Sequence, residues 1–211
     1  MISPLFYTEP GNEALVPTVS HPGEDAGADI KVNAKPFYSR NDAIAFYRDF
    51  ESWSLKYGTR LYVDGEVFTS ESETDFLAIL DQCGGGVLLP PGATTLVDSG
   101  FKIILPNLSG LGSPWNSLIS VYKIVSRSGL AHKHGIVVTN APGIVDFGYQ
   151  DWVKVSLTNR GDDFHVFTHG ARIAQGLCEL VLDQSKSEST TNPGFFNVTA
   201  RETGGFGSTR V

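Results

Sequence analysis

Cysteine is scarce in this chain. Cys83 and Cys178 are the only two among 211 residues and lie far apart, which excludes a disulfide framework or a CxxC metal site and fits a reducing compartment. Apolar runs are short: none approaches the roughly eighteen residues of a membrane span. The opening Met1-Ile2-Ser3-Pro4 lacks a basic segment followed by an apolar core, so the expectation is a cytoplasmic protein with no membrane partner. Basic residues are outnumbered, 16 Lys and Arg against 23 Asp and Glu for a net charge of −7. No basic stripe is available to displace counterions, so no nucleic-acid partner is expected. An anionic ligand must be held by local cations such as Arg127, Arg172 and Arg201, or through Mg²⁺. Also missing is any glycine-rich loop ending in Lys-Ser or Lys-Thr, which argues against a P-loop nucleotidase.

What is present is 41% hydrophobic and 18% charged, enough for one well-buried domain with a small appended subdomain. Residues 5–7 suit a short edge strand, and the segments 29–32, 121–125, 152–158, 164–167 and 177–182 read as further strands, with turn residues between. About ten strands and few helices predict an all-β barrel of jelly-roll type. The interval 36–86 differs. Ile44, Tyr47, Phe50, Trp53 and Tyr57 recur at three- and four-residue steps, predicting a helix over 42–57 capped by Asn41 and ended by Gly58. Asp64-Gly65 predicts a two-residue hairpin turn. Thr74 is expected to cap a second helix over 75–83, stopped by the glycines at 84–86. Residues 1–35 and 87–182 would then form the barrel and 36–86 an inserted helix, hairpin and helix lying on it. Residues 183–211 would be a C-terminal arm that opens with a flexible polar tether over 183–194.

The densest chemistry lies between Ser126 and Tyr149. Arg127 offers a planar fork for phosphate oxygens, Ser128 a neutral donor and Gly129 a backbone that an anion can approach. Asp146 can take a proton from water, and Tyr149 presents a flat face to a sugar. Each residue taken alone also fits an ordinary turn. His132 and His134 read as alternating along a strand, with no third ligand nearby to complete a metal site.

Specificity comes from the ensemble. The chain also carries Asp25-Ala26-Gly27-Ala28-Asp29-Ile30, Ala171-Arg172-Ile173-Ala174-Gln175 and Arg201-Glu202-Thr203-Gly204-Gly205-Phe206-Gly207-Ser208-Thr209. With the two blocks inside 126–149 these make five, in an order that resembles the five motifs of the homotrimeric dUTPase family. That resemblance implies a distorted jelly-roll barrel and a trimer whose active sites are shared between subunits. It also implies Mg²⁺-dependent hydrolysis of dUTP to dUMP and pyrophosphate, limiting uracil incorporation into DNA in a bacterial or virus-infected cell.

By the same resemblance Asp146 positions or deprotonates the water that attacks the α-phosphorus. Tyr149 packs on the deoxyribose and leaves no room for a 2′-hydroxyl, and Asn140 lies at the uracil. Arg127, Ser128, Gly129 and Gln175 contact phosphate, and Asp29 and Gln175 hold the hydrated metal through water. Phe206 stacks on the base, Arg201 neutralises the γ-phosphate, and Gly207 and Ser208 close the arm over the nucleotide. The family bridges 36–86 with a short connection, and Ser126, Ala28, Gly148 and Asp151 depart from its usual residues.

Two other readings share this barrel. A dCTP deaminase, or its bifunctional relative that also cleaves dUTP, lacks the Gly-Gly-Phe-Gly-Ser arm and needs a glutamate after the phosphate block; none occurs between Ser126 and Gln175. A regulatory protein would instead use residues 36–86 as the surface for a protein partner. If the arm closes the site, deleting residues 197–211 lowers turnover sharply in a pyrophosphate-release assay, and wild-type turnover in the truncated chain would refute the assignment of the fifth block.

Overall fold

The alternating stretches around the phosphate and fourth blocks become the two longest strands. In the computed structural model, which describes residues 4–34, 39–69, 72–187 and 189, β8 (Leu118–Ser126) pairs antiparallel with β13 (Arg172–Leu182), from Ala174 opposite Ser126 to Leu182 opposite Leu118. β2 (Ala28–Lys31) adds to the free edge of β13 and β10 (Gly143–Val145) to that of β8, giving the order β10-β8-β13-β2. A second sheet runs β6 (Thr94–Asp98), β11 (Lys154–Asn159), β9 (Ile136–Val138), and β1 (Leu5–Thr8) pairs with β7 (Phe101–Ile104). A third sheet orders β4 (Glu66–Val67), β3 (Leu61–Val63), β12 (Phe164–Thr168) and β5 (Gly86–Leu89). Ile30, Val97, Phe101, Ile124, Leu157 and Phe167 belong to the apolar core these sheets enclose, as the strand pattern predicts for a jelly-roll barrel. β13 begins five residues earlier than the predicted 177–182, so the fourth block lies within a strand. Tyr122, 1% exposed, fits beneath β13 because residue 176 is glycine; a Cβ there would collide with the phenol oxygen.

Among the described residues of the interval 36–86 there are two helices and a hairpin, with boundaries that differ from the expected ones. α1 (Arg40–Tyr57) is capped by Ser39, whose hydroxyl accepts the Asp42 N–H, and ends at Gly58 in the left-handed region. α2 (Glu73–Gln82) is capped by Ser72, whose hydroxyl accepts the Asp75 N–H. The predicted caps Asn41 and Thr74 fall inside the helices, because in both cases an earlier serine reaches the third N–H and nucleates the first turn. Phe46, Tyr47, Phe76, Leu77 and Leu80 form a second core with Phe164 and Val166 of β12. β12 is thus a wall shared by two cores, and all five of its residues are buried. β3 pairs in parallel with β12, so the interval contributes a strand to the sheet as well as packing helices against it.

His132 and His134 do not alternate along a strand. They lie in the last turn of α3 (Ser128–His134), which Gly135 ends in the left-handed region; the Lys133 charge at that end suits the helix dipole. The predicted tether also begins with structure: Gln184–Lys186 is a 3₁₀ turn whose Asp183 cap accepts the Ser185 N–H. Among the described residues no helix is long and apolar enough to cross a membrane.

His165 on β12 is 1% exposed. It stacks on Tyr62 with ring centroids 4.9 Å apart and 6° between the planes, and meets the edge of His134 at 5.1 Å. Neither of its ring nitrogens has a hydrogen-bond partner among the described residues. Burial, reinforced by repulsion from His134, lowers its pKa to about 4. The folded value lies below the ordinary one, so the unfolded chain takes up the proton first. Stability is therefore whole above about pH 6.5 and falls as the pH drops towards 4, by up to about 3 kcal/mol. Denaturant unfolding between pH 7.5 and 4.5 should show this slope, and His165→Phe should flatten it; an unchanged slope in the variant would refute the assignment.

Candidate active site

Asp29 is an interior residue of β2 and Gln175 sits directly opposite it on β13, so both side chains belong to one face of the sheet. A bulge between Arg172 and Ala174 sends Ile173 and Ala174 in succession into the barrel core and leaves Arg172 free to turn outward. Its guanidinium donates to Asp29 Oδ2 at 3.1 Å, while Arg127 Nε donates to Asp29 Oδ1 at 3.0 Å. Ser20 Oγ donates to the same carboxylate at 3.3 Å. Arg127 Nη1 also donates to the Arg172 carbonyl at 3.3 Å. The Asp29 side chain is 4% exposed, whereas those of Arg127 and Arg172 are 25% and 53% exposed. A buried carboxylate thus fixes two partly exposed guanidinium groups, which line one side of a polar cleft of about 340 Å³. Asp64, Leu130, Thr168 and His169 line it as well.

Arg127 is the N-cap residue of α3, and Ser128 and Gly129 open the helix, exposed. The strand before them is anchored by Ser126, whose hydroxyl accepts the Val138 N–H at 2.8 Å; this is a physical role for a residue that departs from the family pattern. Gln175 packs against Gly27, where a Cβ would meet its side chain at 3.6 Å.

Asn140 sits in a turn closed by the Ala141 N–H donating to the Val138 carbonyl at 3.2 Å. Its side chain lies against Gly143, where a Cβ would come within 3.3 Å of the amide. Asp146 follows β10 and is exposed. Its carbonyl accepts the Tyr149 N–H at 3.0 Å, and the Tyr149 hydroxyl donates to the Trp152 carbonyl at 2.9 Å. The Tyr149 hydroxyl is pushed up by burial, then by the carboxylates of Asp151 and Asp98. Tyr149 also lines an apolar groove of about 430 Å³ with Tyr7, Ile104 and Phe147.

These residues therefore form two groups. Asp29, Arg127, Arg172 and Gln175 stand at the Ser126 end of β8. Val145 pairs with Tyr122 near the middle of β8, so the chain leaves β10 heading away from Arg127, and Asp146 lies roughly 15–20 Å from it along the strand. A single chain does not bring them together. Arg201, Phe206, Gly207 and Ser208 lie outside the described residues. Asp64 and Thr168, which line the arginine cleft, are not part of the five-block pattern; the signal for Asp64 was its place in the Asp-Gly turn, which reads as hairpin geometry alone.

Residues 117–210 match the dUTPase family model. The deoxyuridine 5′-triphosphate nucleotidohydrolase of Salmonella arizonae is 39% identical over 135 residues, which are 63% of this chain and 76% of that protein. This chain belongs to the dUTPase family. A second dUTPase relative, the nucleotidohydrolase of Rhizobium etli, is 41% identical over 124 residues, 58% of this chain and 69% of that one. Among solved dUTPases, that of Staphylococcus bacteriophage 80alpha with dUPNHPP superposes with a TM-score of 0.61 at 17% identity, covering 100% of both chains. A variant dUTPase of phage phi11 of S. aureus, described for its coordination of a structural Mg(II) ion, superposes at 0.55 with 13% identity, covering 92% of this chain and 99% of that one. Both likenesses support the dUTPase barrel.

Removing Asp29 would leave Arg127 without its buried partner. Asp29→Ala should destabilise the dUTPase fold by about 2–4 kcal/mol, at the lower end because Arg172 is half exposed. Urea unfolding at fixed protein concentration tests this, with Asp29→Asn expected to lie between the alanine variant and wild type; a wild-type midpoint for Asp29→Ala would show that the arginines need no shared anchor.

Proposed function

We propose that this dUTPase-family chain hydrolyses dUTP to dUMP and pyrophosphate by attack of water on the α-phosphorus, in the cytoplasm of a bacterial or phage-infected cell. The observation that carries the reading is the pair of guanidinium groups held by one buried carboxylate beside a polar cleft, in a chain 39% identical over 135 residues to a nucleotidohydrolase. Phosphoryl transfer depends mainly on positioning and charge neutralisation. Arg127 presents an oriented fork to phosphate oxygens, and Ser128 and Gly129 add donors from the start of α3. Asp146 orients the attacking water and accepts its proton. Its exposed position after β10 leaves the carboxylate accessible to solvent.

Tyr149 supports the sugar. Its hydroxyl is tied to the Trp152 carbonyl, so the ring is held where a 2′-hydroxyl would clash, and UTP is rejected on sterics. Asn140 and the backbone of its turn read the uracil edge; cytosine would present a donor where an acceptor is needed and leave buried groups unpaired. From the final block, Phe206 stacks on the base, Arg201 meets the γ-phosphate, and Gly207 and Ser208 complete the cover.

The donor set suits Mg²⁺ held chiefly by the substrate. Among the described residues no group of three His, Cys, Asp or Glu side chains converges on one point, and both Asp29 oxygens already accept guanidinium donors. Gln175 and Asp29, opposite one another, would hold a hydrated ion through water, and the substrate phosphates would supply the remaining oxygen ligands that this hard cation prefers. When bound, the ion neutralises phosphate charge.

The separation of Asp146 from Arg127 within one chain supports a homotrimer in which one subunit supplies Asp146 and Tyr149 and another supplies Arg127 and Gln175. Pyrophosphate release from dUTP, dCTP, dTTP and UTP with Mg²⁺ should be confined to dUTP. Asp146→Asn should lower kcat by about 10²- to 10⁴-fold while nucleotide still binds; undiminished turnover would overturn its role. If sites are shared, co-refolding inactive Asp146→Asn with inactive Arg127→Ala restores activity, because random assortment leaves about a quarter of the sites intact. No recovery in verified mixed trimers would refute sharing.

A further inference from the structure

Asp64 occupies the first turn position of the β3–β4 hairpin, with φ of 54°, followed by Gly65 at 91°. Asn and Asp are favoured there because they tolerate left-handed backbone. In most such hairpins the side chain at this position faces solvent, but here its direction is different. The Asp64 N–H donates to the Val166 carbonyl at 2.9 Å, extending the β3–β12 ladder by one rung. Its carboxylate then accepts the Thr168 N–H at 2.8 Å and the Thr168 hydroxyl at 2.6 Å. β3 has already turned away at this level, so no backbone carbonyl is available to the Thr168 N–H, and Thr168 is only 4% exposed. The carboxylate takes the place of the missing strand residue and satisfies two buried donors.

Thr168 begins the turn that delivers Arg172. Its carbonyl accepts the Ala171 N–H at 3.1 Å across Gly170, whose φ is 90°. Gly170 donates to the Val32 carbonyl, and Val32 donates back to that of Ala171. The next residue is Arg172, whose carbonyl and guanidinium hold Arg127 and Asp29. From Asp64 to the phosphate-facing arginines the path is a continuous series of hydrogen bonds and chain links, and Asp64 lines the same cleft as both arginines.

We propose that Asp64, supplied by the inserted hairpin, is a positioning residue for the phosphate end of the active site: it fixes the 168–171 turn and through it the Arg172–Arg127 pair. The proposal rests on the dUTP-hydrolysis reading. It assigns the interval 36–86 a part in substrate binding, acting through neutral hydrogen-bond geometry as well as through charge. Asparagine can accept the Thr168 N–H and donate to its hydroxyl, so the two substitutions at Asp64 separate geometry from mere presence of the hairpin.

The test uses the full-length chain with steady-state pyrophosphate release from dUTP, and titration calorimetry with the α,β-imido analogue of dUTP. Asp64→Ala should raise KM and the analogue Kd about tenfold, the cost of losing hydrogen bonds to a charged acceptor, with kcat within about threefold of wild type. Asp64→Asn should recover both constants to within about threefold. Thr168→Val, which keeps the N–H and the fold, should give an intermediate rise. Wild-type KM and Kd in both Asp64→Ala and Thr168→Val would overturn the proposal, as would a loss in Asp64→Ala that Asp64→Asn fails to restore. Should Asp64→Ala fail to fold, the other two variants decide. A wild-type chain that binds the analogue but releases no pyrophosphate would refute the hydrolysis reading, while the Kd comparison still judges Asp64.

Discussion

Burial of the Asp29 carboxylate is the constraint from which the geometry of the arginine cleft follows. An ionised carboxylate almost wholly withdrawn from water is tolerable only with close, well-aligned donors. Here the two guanidinium donors come from positions 98 and 143 residues away in the chain, so the barrel must close for the ion pairs to form. In return the two guanidinium groups lose most of their freedom before any ligand arrives, which reduces the ordering cost of binding. Two guanidinium groups sharing one carboxylate also concentrate cations on one side of a cleft whose lining includes the Asp64 carboxylate. A chain of net charge −7 can hold a polyphosphate only with such local concentration of cations.

β12 links this centre to α1, α2 and the β3–β4 hairpin. Phe164 and Val166 look into the core built by α1 and α2, and Phe167 into the barrel core, so the strand cannot shift without disturbing both. A surface decoration would leave the barrel indifferent to its presence. Here the hairpin of the interval hydrogen-bonds to β12 and meets Thr168 at its end, immediately before the turn that leads into the fourth block. Because packed cores resist gradual deformation, the position of that turn depends on packing on both sides of β12.

The sequence made the strand pattern, the helices α1 and α2 and the Asp-Gly hairpin legible because each rests on local periodicity or turn chemistry. Helix starts were less legible: Ser39 and Ser72 won over Asn41 and Thr74 because capping depends on which side chain reaches a particular N–H. His132 and His134 read as strand residues because spacing of two is compatible with a strand, whereas the left-handed Gly135 that ends α3 is a feature of backbone geometry. The ion pairing of Asp29 was not legible either, since it depends on a bulge at Ile173 and on strand register. Likewise, an Asp in a hairpin turn gives no hint that its carboxylate reaches a residue 104 positions later.

Under the proposed reading, the distribution of the candidate residues along β8 favours their coming from different subunits. A strand is stiff and its length is set by its residue count, so groups anchored near Tyr122 and beyond Ser126 cannot approach each other without breaking the β8–β13 ladder. Folding a flexible loop back could shorten the gap for a lone side chain. Asp146 and Tyr149 are instead tied to one another through the 146–149 turn, and Tyr149 to Trp152, so they move as a unit. In a cyclic trimer each interface is heterologous, setting one patch of a subunit against a different patch of the next. Such an arrangement can set an exposed carboxylate of one copy against the arginine cleft of another while every strand keeps its register, which makes rotational symmetry a simpler route to the complete site than any rearrangement within the barrel.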